Sequence, residues 1–176
     1  MGNCLESSNS RSIGHSGSLG GNGLCRVKRS ITLIVVHCTA TRVDVDFTQK
    51  DLLRCHRAQG MKCVGYHFYI RKDGYIWSTR PMEQVGAHAL GHNQHSIGIA
   101  YEGGLDEQGL PADTRTQKQK FSMRALIRTL KKDFPITRVC GHRDLSPDKN
   151  GNGVVEPTEW LKQCPCFDVT TDEWCH

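Results

Sequence analysis

The sequence predicts an α/β fold, a single domain built around a mixed β-sheet, and three patterns carry that prediction. The run Ile31–Val36 is β-branched and lacks polar alternation, which suits a central strand buried on both faces. Two stretches, opening at Thr48 and at about Thr116, show helical spacing. Strand-like runs lie before, between and after them, so strands and helices interleave. At 176 residues the chain suffices for one well-buried domain, whereas two would be small.

Residues 1–30 carry Gly, Ser and Asn in runs such as Gly14–Gly23, too few apolar groups to offset ordering entropy, and read as a flexible or loosely docked tail. The domain is expected over residues 31–170, with a short tail at 171–176. Thr48-Gln49-Lys50-Asp51 reads as a capping box that starts a packing helix through Leu52, Leu53 and His56, stopped near Gly60. Tyr66–Ile70, Lys72-Asp73-Gly74 and Tyr75–Ser78 read as two strands and a tight turn. Ser96–Glu102 is a further strand in which Gly98, with Gly103-Gly104 after it, marks a bulge or an abrupt exit. Met123, Leu126, Ile127, Leu130 and Phe134 recur at helical spacing from about Thr116 to Asp133, and Pro135 ends that helix. Ile136–Cys140 returns as a strand that delivers His142.

The net charge of +5 is modest, and Arg11, Arg26, Lys28 and Arg29 supply much of it. Without clustering among aromatics it implies no nucleic-acid partner. No window approaches the roughly 18 apolar residues of a bilayer span. Met1–Ser7 turns polar at once, so no secretory signal is seen and no membrane association is expected. Nine cysteines cannot all pair, and reduced thiols are the default expectation. A monomer is expected.

The chemistry concentrates near the end of the chain. Gly141-His142-Arg143-Asp144 and Lys162-Gln163-Cys164-Pro165-Cys166 supply an imidazole, an ammonium and thiols, and His37 closes the first strand. Two imidazoles and a thiolate are three zinc ligands that leave a fourth tetrahedral position for chemistry. Cys38, Cys140 and Cys166 compete for the thiolate role. His88, His92 and His95 have spacings of four and three, but flanking glycines and Asn93 argue against the helix that would bring them together. Residues 148–159 match a twelve-residue calcium loop, with donors assigned to Asp148, Asn150, Asn152, the Val154 carbonyl, Glu156 and Glu159, Gly153 at position six, and Pro157 opening an exiting helix.

Val36-His37-Cys38-Thr39-Ala40-Thr41, Gly65-Tyr66-His67-Phe68, Gly86-Ala87-His88, Ser96-Ile97-Gly98-Ile99, Gly141-His142-Arg143-Asp144 and Lys162-Gln163-Cys164-Pro165 occur in an order that resembles the N-acetylmuramoyl-L-alanine amidases of the bacteriophage-lysozyme type, whose fold peptidoglycan recognition proteins share. The resemblance covers roughly residues 31–168. It implies a sheet with helices on both sides, a zinc cleft at one edge, and hydrolysis of the amide between N-acetylmuramic acid and L-alanine in peptidoglycan or a muropeptide. It implies His37, His142 and Cys164 as zinc ligands, since only Cys164 follows Lys-x and precedes Pro. Tyr66 and Lys162 match its catalytic tyrosine and lysine. His88 matches a position lining the substrate cleft, and His88 with Asn93 is assigned to substrate binding. One departure is Ala100, where some cytoplasmic relatives carry a glutamate base; Glu102 lies two residues on. A non-catalytic peptidoglycan-binding module of the same fold is the alternative, although relatives that do not cut commonly lack the cysteine. A cytoplasmic protein is expected, or one released to the wall by a route outside this chain, as a phage lysin is.

Overall fold

The computed structural model describes residues 28–171. Its first strand, β1 (Leu33–Cys38), is buried at all six residues and runs past Val36, so His37 lies inside the strand. The remaining strands are β2 (Thr41–Arg42), β3 (Phe68–Ile70), β4 (Ile76–Ser78), β5 (Ser96–Tyr101), β6 (Gly104–Leu105) and β7 (Arg138–Gly141). Five of them form one sheet in the order β4-β3-β5-β1-β7, while β2 and β6 make a small parallel pair that the sequence reading did not anticipate. Neighbours β5 and β7 both run parallel to β1, and β3 runs parallel to β5 but antiparallel to β4. The expected mixed sheet is therefore present.

Helices cover both faces, which explains why β1 does not alternate. Ile34, Val36, Cys38, Ile97, Ile99 and Tyr101 pack under Met123, Leu126, Ile127 and Leu130 of α2 (Gln117–Asp133). Each such side chain contributes about 1.5–3 kcal/mol through burial. On the opposite face Leu52 of α1 (Gln49–Ala58) packs with Tyr69 and Ala100. Both helices open on capping boxes, Thr48 with Asp51 and Thr116 with Gln119.

Four expectations change in detail. Arg29, assigned to the tail, is 8% exposed and hydrogen-bonded into the domain, so order begins before residue 31. The rest of that tail, residues 1–27, lies outside the described residues, as do 172–176. Tyr66 and His67 precede β3, because the chain there is tied to a neighbouring loop: Ala87 N–H donates to Gly65 O at 3.0 Å, and a Cβ on Gly65 would meet Ala87 O at 2.3 Å. Gly98 makes no bulge, since the β1–β5 register is unbroken from Leu33↔Ser96 to Cys38↔Tyr101. Finally, Pro157 opens one 3-10 turn, Pro157–Glu159, in place of a longer exiting helix.

Candidate metal centre

Parallel β1 and β7 are adjacent, so their carboxyl ends bring His37 and the residue after Gly141 together. The imidazole rings of His37 and His142 stand 4.7 Å apart between centroids. Cys164 returns from the far end of the chain: its carbonyl accepts from Arg143 N–H at 2.8 Å, and Tyr101 Oη donates to Pro165 O at 2.7 Å. A Cβ on Gly141 would lie 2.5 Å from Pro165 Cδ, so glycine before His142 admits this close return. Cys164 Sγ accepts from Cys38 N–H at 3.2 Å and lies 3.8 Å from His37 Nδ1.

Ligand atoms of His37, His142 and Cys164 all lie within 4.8 Å of one another, the one such cluster of three or more His, Cys, Asp or Glu side chains among the described residues. Zinc at tetrahedral distances holds its donors about 3.3–3.7 Å apart. The set therefore fits after a side-chain adjustment of about an ångström. Burial lowers the His37 pKa well below the imidazole range, assisted by His88, His142 and Lys162, and burial with Lys162 lowers that of His142. Both rings are thus neutral and can donate lone pairs at neutral pH.

The competing thiols sit elsewhere. Cys38 points into the core under α2, its sulfur 3.8 Å from that of Cys166, and its pKa is raised to about 12, first by its hydrogen bond with Cys164. Cys140 is buried with Leu33, Val35 and Ala89. Tyr66 lies against His37, ring centroids 4.9 Å apart, and burial together with Cys164 and Cys38 raises its phenol pKa, so the hydroxyl keeps its proton. Lys162 is exposed and pairs with no carboxylate among the described residues. Ala100 stands opposite His37 in register, with no side chain to serve as a base. Glu102 is fully buried, its carboxylate accepting from Phe47 N–H (2.8 Å), Arg71 Nε (2.7 Å) and Lys72 N–H (3.0 Å), and is committed to structure.

His88 and Asn93, expected on the substrate side, both make contacts within the fold. His88 is buried behind His37, its Nδ1 3.1 Å from His37 Nε2 and its Nε2 3.3 Å from Ser96 Oγ. Asn93 Oδ1 accepts from His88 N–H and Ala89 N–H, both at 2.9 Å, and so shapes the loop that carries the ring. His92 and His95 meet edge to face, ring centroids 5.6 Å apart. His56 and His67 each accept a backbone N–H, from Gly65 and Gly98, both at 3.1 Å, and are structural.

In the 148–159 loop the donors assigned to calcium serve the backbone. Asp148 accepts from Gly151 and Gly153 N–H (both 2.7 Å), and Asn150 and Asn152 accept from Asn152 and Val154 N–H. Glu159 accepts from Lys149, Asn150 and Glu156 N–H (2.7, 3.2 and 3.0 Å), while Glu156 takes the Asn150 and Asn152 side-chain amides. These hydrogen bonds give the calcium expectation no support.

The sequence model described as N-acetylmuramoyl-L-alanine amidase matches residues 27–158. The chain is 32% identical over 142 residues to the endolysin of Escherichia phage T7, an alignment covering 81% of this chain and 85% of the relative. A Haemophilus influenzae protein without an assigned role is 47% identical over 97 residues, 55% of this chain and 84% of its own. Among solved structures, the N-acetylmuramoyl-L-alanine amidase LysC from Clostridium intestinale superposes with a TM-score of 0.61 at 34% identity, covering 80% and 79% of the two chains. Apis mellifera PGRP-SA superposes at 0.58 with 20% identity over 77% and 76%, a likeness of fold.

Proposed function

The chain belongs to the N-acetylmuramoyl-L-alanine amidase family, enzymes acting on peptidoglycan, and from that membership we propose that it is a zinc hydrolase of the bond between N-acetylmuramic acid and L-alanine. The observation that carries the zinc reading is the convergence of His37, His142 and Cys164 from three remote parts of the chain. These residues would hold the ion, and the N–H of Cys38 on Cys164 Sγ steadies the thiolate. When bound, zinc supplies Lewis acidity that activates water and polarises the amide carbonyl.

The chain's own groups do the rest. Lys162 offers a cation beside the ligand pair, where negative charge developing on the amide oxygen is stabilised; one such donor is worth about 3–4 kcal/mol. Tyr66, holding its proton, donates a hydrogen bond that orients the reacting oxygen. With Ala100 and Glu102 both excluded as bases, tyrosine and lysine carry the roles that a glutamate fills in some relatives. The protein acts as a monomer, on wall polymer or on a released fragment. No helix among the described residues is long and apolar enough to cross a membrane.

Purified peptidoglycan digested with the zinc-loaded protein should release fragments with new L-alanine amino termini, read by mass spectrometry. Cys164→Ser should abolish that release. Binding to peptidoglycan without release by the wild type would favour a recognition module instead.

A further inference from the structure

We propose that His88 is a positioning residue for the metal centre: it fixes which nitrogen of His37 carries the proton and so which one faces the ion. The inference rests on the zinc reading above and deepens it.

His37 turns Nδ1 toward Cys164 Sγ, at 3.8 Å, and Nε2 toward His88 Nδ1, at 3.1 Å. A ligating nitrogen needs its lone pair, so neutral His37 must carry its proton on Nε2. That N–H is buried, and the acceptor the structure gives it among the described residues is His88 Nδ1. His88 then carries its own proton on Nε2, which donates to Ser96 Oγ at 3.3 Å. Each ring holds one proton and one lone pair, so the relay has a single direction. Reversed, it would place a proton on His37 Nδ1, in the ligand position. Metal-bound histidines gain orientation and basicity from such partners on their second nitrogen, and losing one typically costs 10–100-fold in metal affinity.

The sequence has made room for this ring on two sides. A Cβ on Gly98 would sit 2.6 Å from His88 Cδ2 and Cγ, and one on Gly86 would sit 2.5 Å from Cδ2. Gly98 occurs inside a regular strand, where glycine has no turn to serve, so the space it leaves is the reason for it. The support behind the ring is also built: Asn93 Oδ1 holds the His88 and Ala89 amides, and Ser96, fully buried, presents its carbonyl to Arg29 at 2.8 Å.

The test measures zinc affinity by competition with a chromophoric chelator in wild type, His88→Phe and His88→Asn. It also records long-range proton–nitrogen spectra of the histidines in the metal-free wild type. Phenylalanine keeps an aromatic ring but offers no acceptor, and it should weaken zinc binding by about 10–100-fold. Asparagine restores an acceptor near the Nδ1 position and should recover most of that loss. The wild-type spectra should show His37 protonated on Nε2. A wild type that binds no zinc would remove the zinc reading and this inference together. Wild-type zinc binding with His88→Phe equal to it, or His37 protonated on Nδ1, would overturn this inference alone. If His88→Phe fails to fold, the wild-type spectra decide.

Discussion

Replacing Arg29 by methionine should destabilise the domain severely, although this residue falls in a stretch that reads as a tail. Its guanidinium donates from Nε to Met82 O at 2.9 Å, and from Nη1 to Ser96 O at 2.8 Å and to Asn93 O and Gln94 O at 3.3 Å. Burial lowers its pKa, the cost of desolvating a cation that these backbone carbonyls, a 2.9 Å contact of Nη2 with His67 Nε2 and the field of Glu83 offset. Methionine keeps the apolar stem and removes the donors. Each of the two short charged hydrogen bonds is worth about 1.5–3 kcal/mol, and relief of the desolvation cost returns part of the sum. A net loss of about 3 kcal/mol corresponds to a fall in Tm of roughly 6–12 °C for a domain of this size. Thermal unfolding followed by circular dichroism, with metal chelated so that only the fold is measured, gives the number. An Arg29→Met protein that melts within about 2 °C of wild type would show that the four carbonyls find other partners, and the argument would fail.

Lys162→Ala should lower kcat by about 10²–10³ while the zinc content of the purified protein stays at the wild-type level, separating charge stabilisation from metal retention. Stability should fall as pH drops below about 6.5: burial holds the His67 pKa down at about 4 and that of His88 at about 3, so the unfolded chain takes up protons first. The contribution is complete above pH 6.5 and is lost progressively toward pH 4; at 1.36 kcal/mol per unit, His67 alone accounts for about 3 kcal/mol, measurable as Tm against pH in chelator. Glu159→Ala should lower Tm equally in chelator and in millimolar calcium, because its carboxylate serves three backbone N–H groups; a wild-type rise with calcium that the variant loses would show a bound ion after all.

Most of the scaffold was readable because it is local. The β-branched run of β1, the two capping boxes and the turn at Gly74 each announce themselves within a few residues, and the structure has all of them. What escaped is non-local. Glycine in Ser96-Ile97-Gly98-Ile99 reads as a strand breaker when only neighbours in sequence are considered. Its cause is a ring ten residues earlier that lies across the sheet. Arg29 misled for the same reason: a lone arginine beside Gly and Ser looks solvated, and nothing nearby in sequence announces that four carbonyls from residues 82–96 converge on it.

The metal centre shows where that limit falls. By residue type alone His37, His142 and Cys164 do not stand out among several histidines and cysteines; the phrases around them single them out, but those phrases do not say how the three meet. Parallel pairing of β1 with β7 is what converts residues 37 and 142 into neighbours, and such pairing depends on the whole sheet order. The third ligand depends on Gly141, where any side chain would strike Pro165 and push Cys164 away. Substituting Gly141 by alanine should therefore weaken zinc binding without touching a ligand, as a Cβ only 2.5 Å from Pro165 Cδ forces the two segments apart. Overpacking of this kind costs about 1–3 kcal/mol, and here the strain falls between two ligand-bearing segments. Zinc affinity should thus drop further than Tm would suggest. Equal zinc affinity in Gly141→Ala and wild type would mean that Cys164 reaches the histidines by some path other than this close passage.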